Sequence, residues 1–301
     1  MSRPQSSNDG AIAPPFRIGL KAIAPDAWIE IDDRYAGQLA EKARLLVEKG
    51  DAVFRAAPES VAAQSEALEM LCNHLVADHP GRVMRNEAGV QCVSSGLCVS
   101  DHEQGEPPLM TASRLVQDDL VIMQKSGGAH RLTAASLCFP SSWRLGEKFG
   151  NTMAHIHAPV PEFGPGTRTA AMIERIFDNL QDDLPARRYN WSLYSAPTLY
   201  HPVADHHLTP DAMHARSPAA WLRVERQTLR RLPRSGAILF TIKICLDPLA
   251  VLREDAESRS QARALADHVD ALTPAQADYK GMRDSRDAIS QWLRNAAADT
   301  S

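Results

Sequence analysis

The clearest pattern in the chain runs from Ala237 to Leu246. Ile238, Phe240, Ile242 and Ile244 alternate there with Leu239, Thr241 and Lys243, the period of two that a β-strand imposes. Pro233-Arg234-Ser235-Gly236 before it is a turn sequence, and Trp221 to Leu229 alternates more loosely. Residues 221–246 are therefore predicted to form an antiparallel hairpin. A second hairpin is predicted from Asp119 to Phe139. Its strands are Asp119–Lys125, carrying Leu120, Val121, Ile122 and Met123, and His130–Phe139, joined across Gly127-Gly128. Arg187–Tyr194 reads as a strand rich in aromatics, and Val90–Val99 carries a short strand. Helical spacing appears elsewhere. Tyr35–Lys49 places Leu39, Ala43, Leu46 and Val47 on one face and stops at Gly50. Ser60–Ala77 aligns Leu68, Leu71, Cys72 and Leu75 ahead of the Pro80-Gly81 breaker. Leu109–Asp118 is predicted helical, as is Thr167–Leu180 with Met172, Ile173, Ile176 and Phe177 inward. Leu249–Ala298 is predicted as two helices split near Thr273-Pro274, and Phe16–Ile31 as irregular chain pinned by Trp28. The sum is an α+β fold, an antiparallel central sheet with helices at both ends. The expected organisation is a polar, disordered lead-in over 1–15, one domain over 16–250 and a helical extension over 251–301.

Composition narrows the function classes. Of 301 residues, 44% are hydrophobic and 23% charged, and the net charge is −4. That balance belongs to an ordinary globular protein and argues against binding dominated by nucleic-acid phosphates. No apolar run approaches the roughly 18–20 residues of a membrane span, and Met1–Pro15 lacks the apolar core of a secretory signal. Five cysteines, with no Cys-x-x-Cys and a loose Cys92/Cys98 spacing, fit reduced thiols in a cytoplasmic protein. Gly164-Pro165-Gly166 is not a full phosphate loop, and no Gly-x-Ser-x-Gly is present. With neither a nucleotide loop nor a cysteine cluster, any reductive chemistry draws its electrons from outside this chain.

Candidate chemistry concentrates in residues 137–161. Pro140-Ser141-Ser142 is a stop-and-cap signal, and Leu145 and Phe149 suggest a short helix closed by Gly150. His155 and His157 follow, two apart. In an extended run both rings face one side, and Pro159 and Pro161 prevent a helix from continuing. Such a pair binds a metal, supplies an axial haem ligand, or is structural with its imidazoles satisfied by backbone. His201, between Tyr200 and Pro202, is a second ligand candidate or a surface-loop histidine. His206, His207 and His214 are weaker. Arg223 and Glu225 share a strand face in a regular strand, with Arg226, Arg230 and Arg231 following. Arginines suit carboxylates through bidentate pairing, and Arg144, Arg187 and Arg188 are similar candidates. The alternative is a solvated strand edge.

Several of these segments together resemble one family. They are Leu115-Val116-Gln117-Asp118-Asp119-Leu120, Phe139-Pro140-Ser141-Ser142-Trp143, Glu147-Lys148-Phe149-Gly150, Ile156-His157-Ala158-Pro159-Val160-Pro161, Asn190-Trp191-Ser192-Leu193 and Leu222-Arg223-Val224-Glu225-Arg226-Gln227-Thr228-Leu229-Arg230-Arg231-Leu232-Pro233. They are similar to the alpha subunits of haem-dependent oxidative N-demethylases, over about residues 15–250. The resemblance implies a PAS-like domain holding haem b. It implies oxidative removal of a methyl group from a small secondary amine such as dimethylamine, using dioxygen and releasing formaldehyde. Electrons would come from NADPH through a partner reductase subunit carrying FMN and an iron–sulfur cluster. Carried onto this sequence, His157 is the axial iron ligand, with His201 the alternative. Arg144, Arg223 and Arg226 are propionate partners. Glu225 holds the substrate ammonium, with Tyr189, Trp191 or Tyr200 giving apolar or cation–π contact. The sequence departs from the family's Arg-Thr-Tyr after Phe240-Thr241-Ile242, reading Lys243-Ile244-Cys245, and at Tyr194, where the family often has an acidic residue or His. Either change alters the pocket if it faces it.

Overall fold

A computed structural model describes residues 12–87, 89–93, 96, 98–99, 105–204, 208–213 and 217–298. His206, His207 and His214 lie outside the described residues. The strands in chain order are β1 (Lys21–Ala22), β2 (Phe54–Ala56), β3 (Val83–Asn86), β4 (Gly89–Cys92), β5 (Cys98–Val99), β6 (Asp119–Ser126), β7 (Ala129–Ser136), β8 (Ala186–Tyr194), β9 (Trp221–Arg231) and β10 (Ile238–Pro248). The helices are α1 (Tyr35–Lys49), α2 (Val61–Asp78), α3 (Pro108–Ser113), α4 (Leu145–Lys148), α5 (Met153–Ile156), α6 (Arg168–Asp178), α7 (Ala256–Asp270), α8 (Pro274–Tyr279) and α9 (Arg286–Ala298). Among the described residues, seven strands form one sheet in the order β1-β8-β9-β10-β6-β7-β2, and β3-β4-β5 form a small second sheet. Every pairing between named strands is antiparallel, so the mixed α+β class read from the pattern holds.

Both predicted hairpins form. β9 and β10 pair from Arg231↔Ile238 to Trp221↔Pro248, and β6 and β7 pair across Gly127-Gly128 with one register shift at Ile122/Met123. Helices cover both faces of the sheet centre. On one face Leu120, Ile122 and Leu239 pack with Leu45, Leu71 and Leu75 of α1 and α2. On the other, Val121, Met123, Ile238 and Leu229 pack with Ile173 and Phe177 of α6. Burial on both faces is why β10 hides Thr241 and Lys243 as fully as its isoleucines. Each finds a partner there: Thr241 Oγ1 lies 2.7 Å from Thr228 Oγ1, and Lys243 Nζ lies 3.1 Å from Asp32 Oδ2. A third cluster joins Trp191, Leu193 and Leu222 of β8 and β9 to Leu265, Val269, Ile289 and Trp292 of the C-terminal helices. Trp28 is fully buried, as expected of a pin.

Four expectations about faces and lengths need correction. The buried face of α1 carries Gln38 and Lys42, while Val47 is 83% exposed. The polar pair goes inside because Gln38 Oε1 accepts from Gln117 Nε2 at 2.7 Å and Lys42 Nζ donates to the Val116 carbonyl at 3.0 Å. Met172 of α6 is likewise outward, 43% exposed. Ser142 does not cap a helix. It sits at φ +64°, and α4 begins only at Leu145. The C-terminal segment splits at Thr273-Pro274 as expected, with a Thr273/Gln276 capping box, but α8 ends at Tyr279 and a third helix follows.

Candidate functional site

The stretch holding both histidines folds as one helical turn, not as extended chain. Thr152 Oγ1 accepts from His155 N at 3.4 Å and starts α5 there. Residues two apart on a helix point about 200° apart, so the two rings diverge. His155 is exposed, with Nδ1 2.7 Å from Thr152 Oγ1. His157 is turned toward Phe163, ring centroids 6.1 Å apart, beside the cluster under α6. Its Nδ1 lies 3.0 Å from the Met153 carbonyl oxygen. A carbonyl only accepts, so Nδ1 carries the proton and Nε2 the lone pair. Burial above all, with the charges of Arg188 and Lys148 adding to it, pushes the His157 pKa down to about 4. The ring is neutral at pH 7.

Beside it, strands β8 and β9 supply a polar floor. Opposed residues of an antiparallel pair share a face, and Arg188 lies opposite Gln227 while Asn190 lies opposite Glu225. By the same alternation Glu225 shares the face of Leu229, the α6 side of the sheet. Glu225 is 8% exposed. Its Oε2 accepts from Gln227 Nε2 at 2.5 Å and Asn190 Nδ2 at 3.5 Å, whereas Oε1 accepts no hydrogen bond among the described residues. Arg188 donates through Nη1 to Gln227 Oε1 at 3.0 Å and through Nη2 to the Arg17 carbonyl at 3.2 Å. Its Nε is buried and meets no acceptor among the described residues. Lys280, just past α8, brings a second buried cation to the Trp191 position of β8. It is 4% exposed, donates to the Trp191 carbonyl, and lies 4.9 Å from the Trp191 ring and 5.5 Å from the Phe16 ring. Burial pushes its pKa down to about 8, against the pull of Glu225.

The other candidates are elsewhere. Tyr189 and Trp191 pair with Arg226 and Val224, which puts them on the face opposite Glu225. Arg226 donates to the carbonyls of Trp28 and Ala27, and its Nε lies 2.8 Å from Glu30 Oε1. Arg223 is fully buried. It donates to Ser141 Oγ at 2.9 Å and to the carbonyls of Phe139 (2.8 Å), Leu199 (3.1 Å), Thr198 and Pro140 (both 3.2 Å). These two arginines clamp main chain. Arg144 is half exposed and lines a cleft of about 460 Å³ with Arg55, Trp143 and Tyr200. His201 stacks edge-on against Tyr194 at 4.6 Å, and its carbonyl accepts from Ser142 N at 2.7 Å. Arg188 and Tyr194 stand six positions apart on β8, roughly 20 Å, so His157 and His201 belong to different ends of the strand. Lys243 and Cys245 share the face of Arg226, whereas Ile244 lies opposite Glu225 and shares its face, so the departure from the family pattern meets Glu225 only at its middle residue.

The sequence signalled part of the floor. Arg188, Asn190 and Ser192 are polar at period two among aromatics, and Gln227 continues the face of Glu225. Nothing local marks Lys280, which arrives from a helix over fifty residues later in the chain.

A neutral imidazole with its Nδ1 proton held by a carbonyl is the form that ligates iron through Nε2. A buried guanidinium N–H without an acceptor suits a carboxylate. The donors present thus fit a haem. Among the described residues no three His, Cys, Asp or Glu side chains gather to hold a metal ion alone, so the His155/His157/carboxylate alternative is not assembled there. Nor is any described helix long and apolar enough to cross a membrane. Fold and site thus define an α+β protein with a ligand-ready histidine beside a buried polar sheet face. The chain belongs to the family described as haem-dependent oxidative N-demethylase, alpha subunit-like, whose model matches residues 19–290. The family's description names haem dependence and oxidative N-demethylation, and the words alpha subunit imply companion subunits.

Proposed function

We propose that this protein removes a methyl group oxidatively from a small secondary amine, of the dimethylamine kind, at a haem b held by His157 in a PAS-like domain. The observation that carries the reading is His157 itself. Its proton is fixed on Nδ1 by Met153, and its pKa near 4 keeps the imidazole neutral. Bound haem supplies dioxygen activation and one-electron chemistry. This chain supplies placement: Glu225 Oε1 accepts an N–H of the substrate ammonium while Gln227 and Asn190 hold the other oxygen. That orients the N-methyl group and keeps water from the carboxylate. Formaldehyde and the demethylated amine leave. Electrons come from NADPH through a reductase subunit with FMN and an iron–sulfur cluster, in the cytoplasm. Of the three arginines first considered for the propionates, Arg144 is the one not committed to main chain.

The test is the absorption spectrum of the purified protein supplied with haemin, then turnover with a chemical reductant, dimethylamine and dioxygen. A Soret band and formaldehyde are expected. A colourless protein overturns the haem reading, and a coloured protein that yields no formaldehyde with any amine makes it a haem-binding sensor. His157→Ala is expected to remove the Soret band and His201→Ala to retain it. The reverse outcome moves the ligand to His201.

A further inference from the structure

The floor beside His157 holds more positive charge than a simple alkylammonium can use. Arg188 shares the face of Glu225, Lys280 seats its amine on the Trp191 carbonyl one residue along β8 from Asn190, and the Glu225 charge acts on both. One carboxylate oxygen is uncommitted, and one buried guanidinium N–H has no acceptor among the described residues. A bare dimethylammonium satisfies the first and leaves the second orphaned.

The register puts these two groups on one face of the sheet. Arg188 faces Gln227 and Asn190 faces Glu225, so Arg188 and Glu225 are diagonal neighbours on one sheet face, roughly 7–8 Å apart along the backbone. The Gln227 amide already bridges them, 3.0 Å from Arg188 Nη1 and 2.5 Å from Glu225 Oε2, and an α-amino acid, its ammonium and carboxylate carried on one carbon, makes a second bridge of the same kind between Glu225 Oε1 and Arg188 Nε. From this juxtaposition we propose that the substrate is an N-methylated amino acid. Its ammonium sits on Glu225 Oε1 and its carboxylate takes the Arg188 Nε–H. Lys280 makes the floor net positive, so it holds a zwitterion against Glu225 and disfavours a bare cation. The inference rests on the proposed demethylation and names its substrate class. The same guanidinium chemistry serves a haem propionate, and the test separates the two sources.

Isothermal titration calorimetry on the full chain loaded with haemin, using sarcosine, N,N-dimethylglycine and dimethylamine, measures the preference directly. Sarcosine or dimethylglycine is expected to bind at least tenfold more tightly than dimethylamine. Arg188→Gln is expected to erase that ratio while the haem content, read from the Soret absorbance, stays at the wild-type level. Equal affinities in the wild type overturn the proposal. Loss of haem from Arg188→Gln also overturns it, and assigns the guanidinium to a propionate. The wild-type ratio decides the matter even where the variant does not fold. A protein without a Soret band that still prefers the amino acids refutes the haem reading and leaves this one standing.

Discussion

Arg223 and Arg144 carry the same charge in opposite settings. Arg223 ties residues 139–141 to residues 198–199 through four carbonyls and a hydroxyl. Arg223→Met strips those carbonyls of their donor, at an expected cost of about 3 kcal/mol or more. Arg144→Met, at a half-exposed side chain, is expected to change stability by about 0.5 kcal/mol or less. Urea denaturation of both variants measures the contrast, and equal losses would deny the clamp. Buried histidines set part of the acid response. Burial, outweighing the nearby Asp78 carboxylate, pushes the His74 pKa down to about 4. An unfolded histidine titrates near about 6.5, so below that pH the unfolded chain binds a proton that the fold refuses. The stability tied to His74 is whole above about pH 6.5 and is lost as the pH falls toward 4. Asp119 works the other way. Burial pushes its carboxyl up to about 6, so its contribution is whole below about pH 4 and is lost as the pH rises through 6. Replacing His74 with Gln is expected to reduce the fall in unfolding free energy between pH 7 and pH 5 by roughly 1–2 kcal/mol. An unchanged fall would mean that His74 is protonated in the fold.

At the scale of elements, the strands were more legible than the site. Alternation located β9 and β10, and the Gly127-Gly128 turn located β6 and β7, because turn chemistry and a period of two are local properties. The sides of α1 were misread because Lys42 and Gln38 reach carbonyl and amide partners from residues more than seventy positions away. His155 and His157 were read as neighbours on a strand because the two prolines after them hid the Thr152 cap before them. The small element α8 matters beyond its length, since Lys280 leaves its end. Thr273→Ala removes the hydroxyl half of the capping box, the acceptor of Gln276 N, and is expected to destabilise the protein by about 1 kcal/mol. Faster amide exchange should be confined to residues near 274–280. Exchange that quickens evenly across the molecule would show that α8 is held by packing instead.

The whole molecule hangs on a shared core that the linear sequence does not display. The C-terminal helices pack their leucines and Trp292 against Trp191, Leu193 and Leu222 of the sheet, and the family match continues to residue 290. A chain ended after Pro248 exposes that apolar surface, including the fully buried Trp191. It is expected to be insoluble or to lack a cooperative thermal transition by circular dichroism. A soluble, cooperatively melting fragment would show that the sheet stands without its helices.

The flank of β8 has one further consequence. β1 reaches only Ala186 and Arg187, and one carbonyl farther along that margin is occupied by a side chain. The amine of Lys280 sits on the Trp191 carbonyl, and the indole N–H of the same tryptophan donates to Ala13 at 3.1 Å. A visiting strand from a second molecule finds the Trp191 carbonyl already taken, which weakens this border as a template for further pairing. The lysine proposed to bias the floor for a zwitterion thus also occupies a carbonyl on the border of the sheet.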